Sequence, residues 1–215
     1  MMKLHCAARS SASFRVRIAL NLKGLPYEYV PVDLVHGEQF SDGFRGLNPA
    51  ELVPVLEHDG AVLSQSLAII EYLDEKYPQP PLLPHDPVDR AYVRSIALSI
   101  ACEIHPLNNL RVLRYLTKTL GQSEDAKNAW YRHWVEQGLA QVEAQLAAQR
   151  RCRRFVLGDA VTMADILVVP QIFNARRFDC RLDHVPTVMR IFDACMQVPA
   201  FVDAQPGRQP DMPPA

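Results

Sequence analysis

Apolar residues change their spacing several times along the first part of the chain, and each change marks an element. Lys3 to Cys6 is a short strand candidate. Over 13–23, Phe14, Ile18 and Leu22 recur four apart, which puts them on one helical face, and Gly24 supplies the C-terminal stop. Residues 27–34, YEYVPVDL, alternate and are rich in β-branched side chains, as a strand is. After a polar stretch, 53–57 and 61–63 flank His58-Asp59-Gly60, and Asp-Gly between two apolar runs predicts a hairpin. Ser66 then caps a helix, LAIIEYLDEKY, in which Leu67, Ile70 and Leu73 share a face. The order β-α-β-loop-β-β-α over roughly 80 residues matches a thioredoxin-like α/β unit.

The pattern changes at Tyr77–Pro87, YPQPPLLPHDP, which holds five prolines in eleven residues. Proline fixes φ and removes a donor, so this stretch reads as an extended connector. Beyond it no segment reads as a strand. Tyr92, Ile96, Ile100 and Ile104 recur at four-residue spacing with Val93, Ala97 and Ala101 beside them, a wide stripe that marks a buried helix over 88–104. Pro106 interrupts it. Further helices are expected over 125–149, 164–178 and 185–197. The second of these opens on Thr162-Met163-Ala164-Asp165, a capping box. The tail, QPGRQPDMPPA, reads as irregular. The expected organisation is therefore α/β followed by all-α: a thioredoxin-like domain over 1–80, a proline-rich linker over 81–87, and an all-helical domain over 88–215.

Composition narrows the class. The chain has 215 residues, 48% of them hydrophobic and 22% charged, enough apolar material for a sizeable core. The formal net charge is −1, so nucleic acid and anionic membrane are not expected partners of the chain as a whole. Divided at residue 80, the first part carries net −3 and the remainder +2. No apolar run approaches the length of a membrane span, and the first residues lack the apolar stretch of a signal peptide. Five scattered cysteines with no CxxC pair argue for a reducing, cytoplasmic setting. The seven histidines are dispersed as well, so no metal site is expected.

Two polar clusters carry candidate chemistry. Arg9-Ser10-Ser11-Ala12-Ser13 lies between the first strand and the first helix, where unpaired N–H groups favour an anion or a thiolate. Capping needs one serine; three serines and an arginine exceed it. The second cluster is Val53-Pro54 with Gln65-Ser66. Pro54 cannot donate to a ladder and points to an edge, a bulge or a cis bond, which leaves the Val53 backbone free to pair with an extended peptide. Ser66, at a helix start, is a second carboxylate-binding position.

Together these residues resemble a known family. Residues 10–20, SSASFRVRIAL, are similar to the SSCSxRVRIAL signature of zeta-class glutathione transferases. Leu47-Asn48-Pro49, Val53-Pro54, residues 65–73 (QSLAIIEYL), Gly158-Asp159, residues 162–165 (TMAD), Val169-Pro170-Gln171 and residues 174–178 (NARRF) continue it in order. Residues 102–109, CEIHPLNN, resemble the bacterial maleylpyruvate-isomerising branch. The resemblance implies a glutathione-dependent cis–trans isomerase of maleylacetoacetate or maleylpyruvate, with glutathione as cofactor and a homodimeric assembly. It implies thiolate addition to the double bond, rotation about the resulting single bond, and elimination.

Carried over residue by residue, the resemblance assigns Ser10 to the glutathione sulfur, with Ser11 beside it. Val53, next to a cis Pro54, pairs with the cysteinyl unit; Gln65 and Ser66 hold the γ-glutamyl carboxylate, and Gln39 is in reach. Ala12 stands where the signature has cysteine, so chemistry needing that thiol is absent. Arginine binds both oxygens of a carboxylate through its planar fork, and Arg9 and Arg177 are the favoured catalytic candidates for the substrate's carboxylates. His105, Asn109, Arg111 and Arg176 are weaker substrate-binding candidates. Arg15 and Arg17 read as structural or interfacial. Two alternatives stay open: a general glutathione transferase acting on electrophiles or peroxides, and a non-catalytic binding module on the same fold.

Overall fold

The computed structural model describes residues 1–212. It divides into two compact units, Met1–Pro81 together with the segment from Gln197 on, and Leu82–Met196. The sequence-based division assigned everything after the linker to the helical part. The segment from Gln197 instead packs on the first unit, where α9 (Pro199–Asp203) lies on α1 (Ser11–Leu22). Phe201 is buried there, and Asn21 Nδ2 donates to the Ala200 carbonyl at 3.1 Å. The irregular tail expected from the proline content extends over residues 213–215, which lie outside the described residues. Its described part forms a short 3-10 turn, Pro206–Arg208.

In the first unit β1 (Met2–Cys6), β2 (Tyr27–Pro31), β3 (Val55–His58) and β4 (Ala61–Ser64) form one sheet in the order β2-β1-β3-β4. β1 and β2 are parallel, with Leu4 opposite Tyr29; β3 runs antiparallel to β1, with Leu4 opposite Leu56. This is the expected thioredoxin-like order. The β3–β4 hairpin turns on Asp59 and Gly60, both at positive φ (50° and 79°), the left-handed pair that a two-residue hairpin requires. α3 (Ser66–Lys76) packs with α1 through Ile69, Ile70 and Leu73, all fully buried. One element went unforeseen: the polar stretch before β3 holds a helix, α2 (Asp42–Leu47), capped by Ser41 Oγ on the Phe44 N–H at 3.2 Å. Phe44 joins Val32 and Val55 in a small core against which Val53 packs.

Lys23, just past α1, shows why the connector sits where it does. Its buried ammonium donates to Asp74 Oδ1 (2.9 Å) and to the carbonyls of Tyr77 (2.6 Å) and Pro80 (2.9 Å). Its three N–H donors meet three oxygens, which answers the cost of burying the charge.

The second unit is helical, with one isolated bridge between Cys152 and Gly158. α4 (Pro87–Leu98) continues through a π-type run, Ser99–Ile104, into a 3-10 turn, His105–Asn108, so the interruption expected at Pro106 is a change of helical winding. α5 (Leu110–Arg114), not foreseen, passes into another π-type run, Tyr115–Thr119. α6 (Glu124–Gln149), α7 (Met163–Arg177) and α8 (Pro186–Cys195) follow the expected positions. The capping box at α7 is present. The Asp165 carboxylate accepts from the Thr162 N–H and O–H, both at 2.8 Å, and from the Val156 N–H at 2.9 Å. α8 is capped from another helix, by the Glu143 carboxylate on the N–H groups of Thr187 and Val188.

Gly138, in the middle of α6, allows that helix to approach the π-type run. A Cβ there would meet Ile104 Cγ1 well inside van der Waals contact and Cδ1 at 2.7 Å. Gly138→Ala should therefore destabilise the protein by about 1–3 kcal/mol, although alanine is the better helix former. Denaturant unfolding of the two proteins measures the difference, and a stabilised variant would contradict this account of the close approach.

Candidate functional site

The first polar cluster forms at the head of α1. β1 ends at Cys6, the chain turns over 7–10, and Ser10 becomes the N-cap of α1 in an extended conformation. Ser10 Oγ accepts the Ser13 N–H at 3.2 Å. That bond uses a lone pair of the hydroxyl and leaves its hydrogen to donate. No acidic residue occupies the first turn of α1, which leaves its first N–H groups open to an anion. Ser11 is the first helical residue and is buried. Ser13, expected to serve the helix start, turns its Oγ back towards the Ala7 N–H, at 3.4 Å; the cap itself is Ser10. Arg9 is exposed and makes no hydrogen bond or ion pair among the described residues.

The second cluster lies at the edge of the same unit. The Val53–Pro54 peptide is cis. Neither the N–H nor the C=O of Val53 has a hydrogen-bond partner among the described residues, although its side chain packs against the Val32, Phe44 and Val55 core. The start of α3 differs by one residue from expectation: Gln65 is the N-cap and Ser66 the first helical residue. Gln65 holds φ 70°, a left-handed conformation that a non-glycine residue adopts at a cost of about 1–3 kcal/mol. The first N–H groups of α3 are not used within the helix, as at any helix start. Arg15, read from sequence as structural, is buried, and its Nη1 donates to Ser66 Oγ at 3.3 Å. It orients the serine and leaves the hydroxyl hydrogen free to donate. The sequence marked Arg15 as structural or interfacial but gave no sign that its partner would be Ser66. Gln39, in a single 3-10 turn, is 4% exposed, and its Oε1 has no hydrogen-bond partner. A buried carbonyl oxygen without a protein donor can accept from a bound ligand or a water.

Three of the chain's thiols are kept protonated at neutral pH by burial. Burial pushes Cys6 and Cys180 up to about 11 and raises Cys195 still further. Ala12, on the first turn of α1, supplies no thiol.

In the helical unit, a cavity of about 240 Å³ is lined by Asn108, Leu113, Arg114, Lys127, Arg177 and Phe178, among others. Three cationic side chains thus line one small cavity. Arg177 lies over the Phe178 ring, 5.0 Å from its centroid, and its positive charge works against the burial that raises the Tyr131 hydroxyl pKa. Asn108 is buried, and its Oδ1 has no partner. Of the weaker candidates, Asn109 spends its Oδ1 capping α5 on the Arg111 N–H at 3.2 Å. Arg111 is exposed, and Arg176 stacks on Phe192 at 4.4 Å. His105 begins the 3-10 turn after α4 and is half-buried. None of these four lines the cavity. Asn108, Arg114 and Lys127 were not singled out from sequence, where a lone arginine or lysine on a helix gives no signal of what it faces. Among the described residues, no group of three or more His, Cys, Asp and Glu side chains is placed to hold a metal ion.

Comparison with known proteins decides the family. Residues 4–81 match the glutathione S-transferase N-terminal domain. The chain is 48% identical to the maleylpyruvate isomerase of a Ralstonia species, over 98% of this chain and 99% of that one. A holo structure of a maleylpyruvate isomerase, described as a bacterial zeta-class glutathione S-transferase, superimposes with a TM-score of 0.96 at 47% identity, over 98% of this chain and 100% of that one. The chain belongs to the zeta-class glutathione S-transferases. Another zeta-like structure, a maleylacetoacetate isomerase from Anaeromyxobacter dehalogenans, holds dicarboxyethyl glutathione and citrate in its active site. It is 41% identical with a TM-score of 0.88, covering 100% of this chain and 98% of that one.

In a transferase of this class, the head of α1 makes a specific test available. Ser10→Ala should raise the thiol pKa of bound glutathione and lower turnover about ten- to hundredfold, the worth of a hydrogen bond to a charged group. Ser13→Ala, which loses only a long bond to Ala7, should leave turnover within about threefold, below the roughly 1 kcal/mol of a weak neutral hydrogen bond. Ultraviolet titration of the bound thiol together with steady-state kinetics measures both. Equal losses at the two serines would move the thiol contact away from Ser10.

Proposed function

We propose that this protein is a glutathione-dependent cis–trans isomerase acting on a maleyl diacid, maleylacetoacetate or maleylpyruvate. The observation that carries this reading is the capped serine at a helix start with no acidic residue in its first turn, in a chain similar over its whole length to maleylpyruvate isomerase. The residues present fit the tripeptide cofactor. Val53 offers a free backbone N–H and C=O to an extended peptide, Gln65 and Ser66 with the first amides of α3 suit a carboxylate, and the buried Gln39 Oε1 can accept from a ligand N–H.

Bound glutathione supplies a thiol whose addition to the cis double bond and later loss allow that bond to turn. The chain's own part is to bind and polarise. The Ser10 hydroxyl, with its oxygen engaged by the Ser13 N–H, donates its hydrogen towards negative charge on sulfur, and the positive end of α1 favours the same charge. Arg15 holds Ser66 in place for the γ-glutamyl carboxylate. Arg9 and Arg177 hold the substrate's carboxylates, and Arg114 and Lys127 give the cavity around Arg177 the same preference for an anion. Stabilising the developing enolate needs such donors and cations. The full reading includes a homodimer in the cytoplasm; among the described residues no helix is long and apolar enough to cross a membrane.

Glutathione should be required but not consumed. Following product and thiol together over many turnovers tests this, and stoichiometric loss of thiol would place the protein among conjugating transferases. The arginines separate the same two readings. Both are exposed, so replacing either with alanine should raise KM for the maleyl substrate by about 1–2 kcal/mol, a five- to thirtyfold change. Lysine should rescue only part, being a point charge rather than a fork. A neutral chloronitrobenzene should be indifferent to either change. Parallel losses on both substrate types would assign the arginines to the fold or to glutathione.

A further inference from the structure

The turn that carries Ser10 is held by residues far from it in sequence. Arg17 is fully buried in α1. Its Nη1 and Nη2 donate to the carbonyls of Ala7 (3.2 Å) and Ala8 (3.0 Å), and its Nε donates to the Ala204 carbonyl at 3.0 Å. The Ala7 carbonyl also accepts the Ser10 N–H at 3.1 Å. One oxygen therefore joins the guanidinium to the backbone of the serine. The Ala7 carbonyl and the Ala8 N–H belong to one peptide unit, and that unit is gripped from its other side as well. The Ala8 N–H donates to Asp211 Oδ2 at 2.8 Å, and Asp211 Oδ1 accepts the Tyr29 hydroxyl at 2.5 Å. Arg17 and Asp211 both reach the buried Cys6 thiol electrostatically, one lowering its pKa and the other raising it.

A tight turn needs only its own closing bond, here Ser10 N–H to Ala7 C=O. Bringing a buried cation and a carboxylate from elsewhere onto the same peptide restrains it well beyond that need. We propose that Arg17 and Asp211 are positioning residues for the thiol-activating serine, acting through the Ala7–Ala8 peptide. The proposal rests on the reading of Ser10 given above. Hydrogen bonds weaken steeply with distance and angle, so a small displacement of the turn takes the Ser10 hydroxyl off the sulfur while Val53, Gln65 and Ser66 still hold the tripeptide. The clamp therefore governs thiol acidity and turnover, not glutathione affinity. It also gives the segment after Gln197 a part in catalysis with no contact to either ligand.

The test uses the full chain with Asp211→Ala, Asp211→Asn and Ser10→Ala, because Arg17→Ala strips a buried network and is expected to unfold the unit. Three quantities are read: the ultraviolet titration of the bound thiol, the glutathione Kd, and amide hydrogen exchange over residues 7–11. Asp211→Ala should cut the thiolate fraction at neutral pH about three- to tenfold, lower kcat by a similar factor, speed exchange at Ala8 and Ser10, and leave Kd within about twofold. Asp211→Asn, which keeps one accepting oxygen, should recover part of the thiol shift. If Ser10→Ala moves the thiol titration but Asp211→Ala does not, Asp211 serves the fold alone and the proposal is overturned. If Ser10→Ala leaves the titration unchanged, the serine reading itself is wrong and the proposal falls with it, whatever exchange shows.

Discussion

Three basic side chains of one helix and its end, Arg15, Arg17 and Lys23, are buried in the first unit, and burying a cation is costly unless oxygens surround it. Lys23 and Arg17 meet several oxygens each, while Arg15 donates through Nη1 to one hydroxyl. Lys23 reaches Asp74 and the carbonyls of Tyr77 and Pro80, which ties α3 and the start of the connector to α1. Arg15 reaches Ser66 at the head of α3. Arg17 reaches Ala7, Ala8 and Ala204, which ties the β1–α1 turn to the segment beyond α9. Satisfying these charges therefore places the two helix starts that carry the polar clusters. The neighbouring apolar packing of Phe14, Ile18, Ile69 and Leu73 would tolerate a shift of a fraction of an ångström; the donor–acceptor distances would not.

The chemistry follows from what this arrangement leaves open. Acceptors within the protein meet the charges of Arg17 and Lys23, and the first turn of α1 carries no acidic residue of its own. An anion placed there meets N–H groups and a hydroxyl with a free hydrogen. Cys6 ends the strand immediately before that turn, yet burial keeps its thiol protonated at neutral pH. The nucleophile must then come from outside, on a molecule that the unit can hold along an unpaired edge. That is the demand a tripeptide thiol meets, and it explains how a unit with no reactive cysteine of its own can support thiol chemistry.

The fold was readable where local chemistry dictates local geometry. Asp59-Gly60 forces a hairpin, Thr162 and Asp165 form a capping box, and the four-residue spacing of Tyr92 to Ile104 needs a buried helix face. What escaped notice depends on distant partners. α2 and α5 are short, with six and five residues, too few to show a periodic stripe. The partners of Arg17 are legible only in the fold, where the Ala204 carbonyl accepts from its Nε and Asp211 accepts from the Ala8 N–H beside its other contacts. The proline content of the tail forecasts an irregular backbone correctly but says nothing of where that backbone docks. In the candidate site, turn and cap chemistry drew attention to Ser10, Val53 and Ser66, the α3 cap falling one residue earlier at Gln65, whose role came from the family resemblance. Asn108, Arg114 and Lys127 were not legible, because their common cavity depends on how α5, α6 and α7 pack.

The two units divide the chemical work in a way that their charges express. Activating a thiol requires nothing of the electrophile, so the first unit's machinery would serve conjugation as well as isomerisation. Selectivity for a diacid has to be added by cations, and the helical unit carries the excess of positive charge. There Arg177 lies over the Phe178 ring, 5.0 Å from its centroid, on the cavity that Arg114 and Lys127 also line. Arg114 and Lys127 on the same cavity raise its potential without fixing an orientation, which suits a substrate whose two acidic ends are joined by a bond that must turn. A cavity that clamped both ends rigidly would hold the cis form and oppose the reaction. On the proposed reading, an arginine fork beside two further cations would bind the diacid and still leave its central bond free to turn.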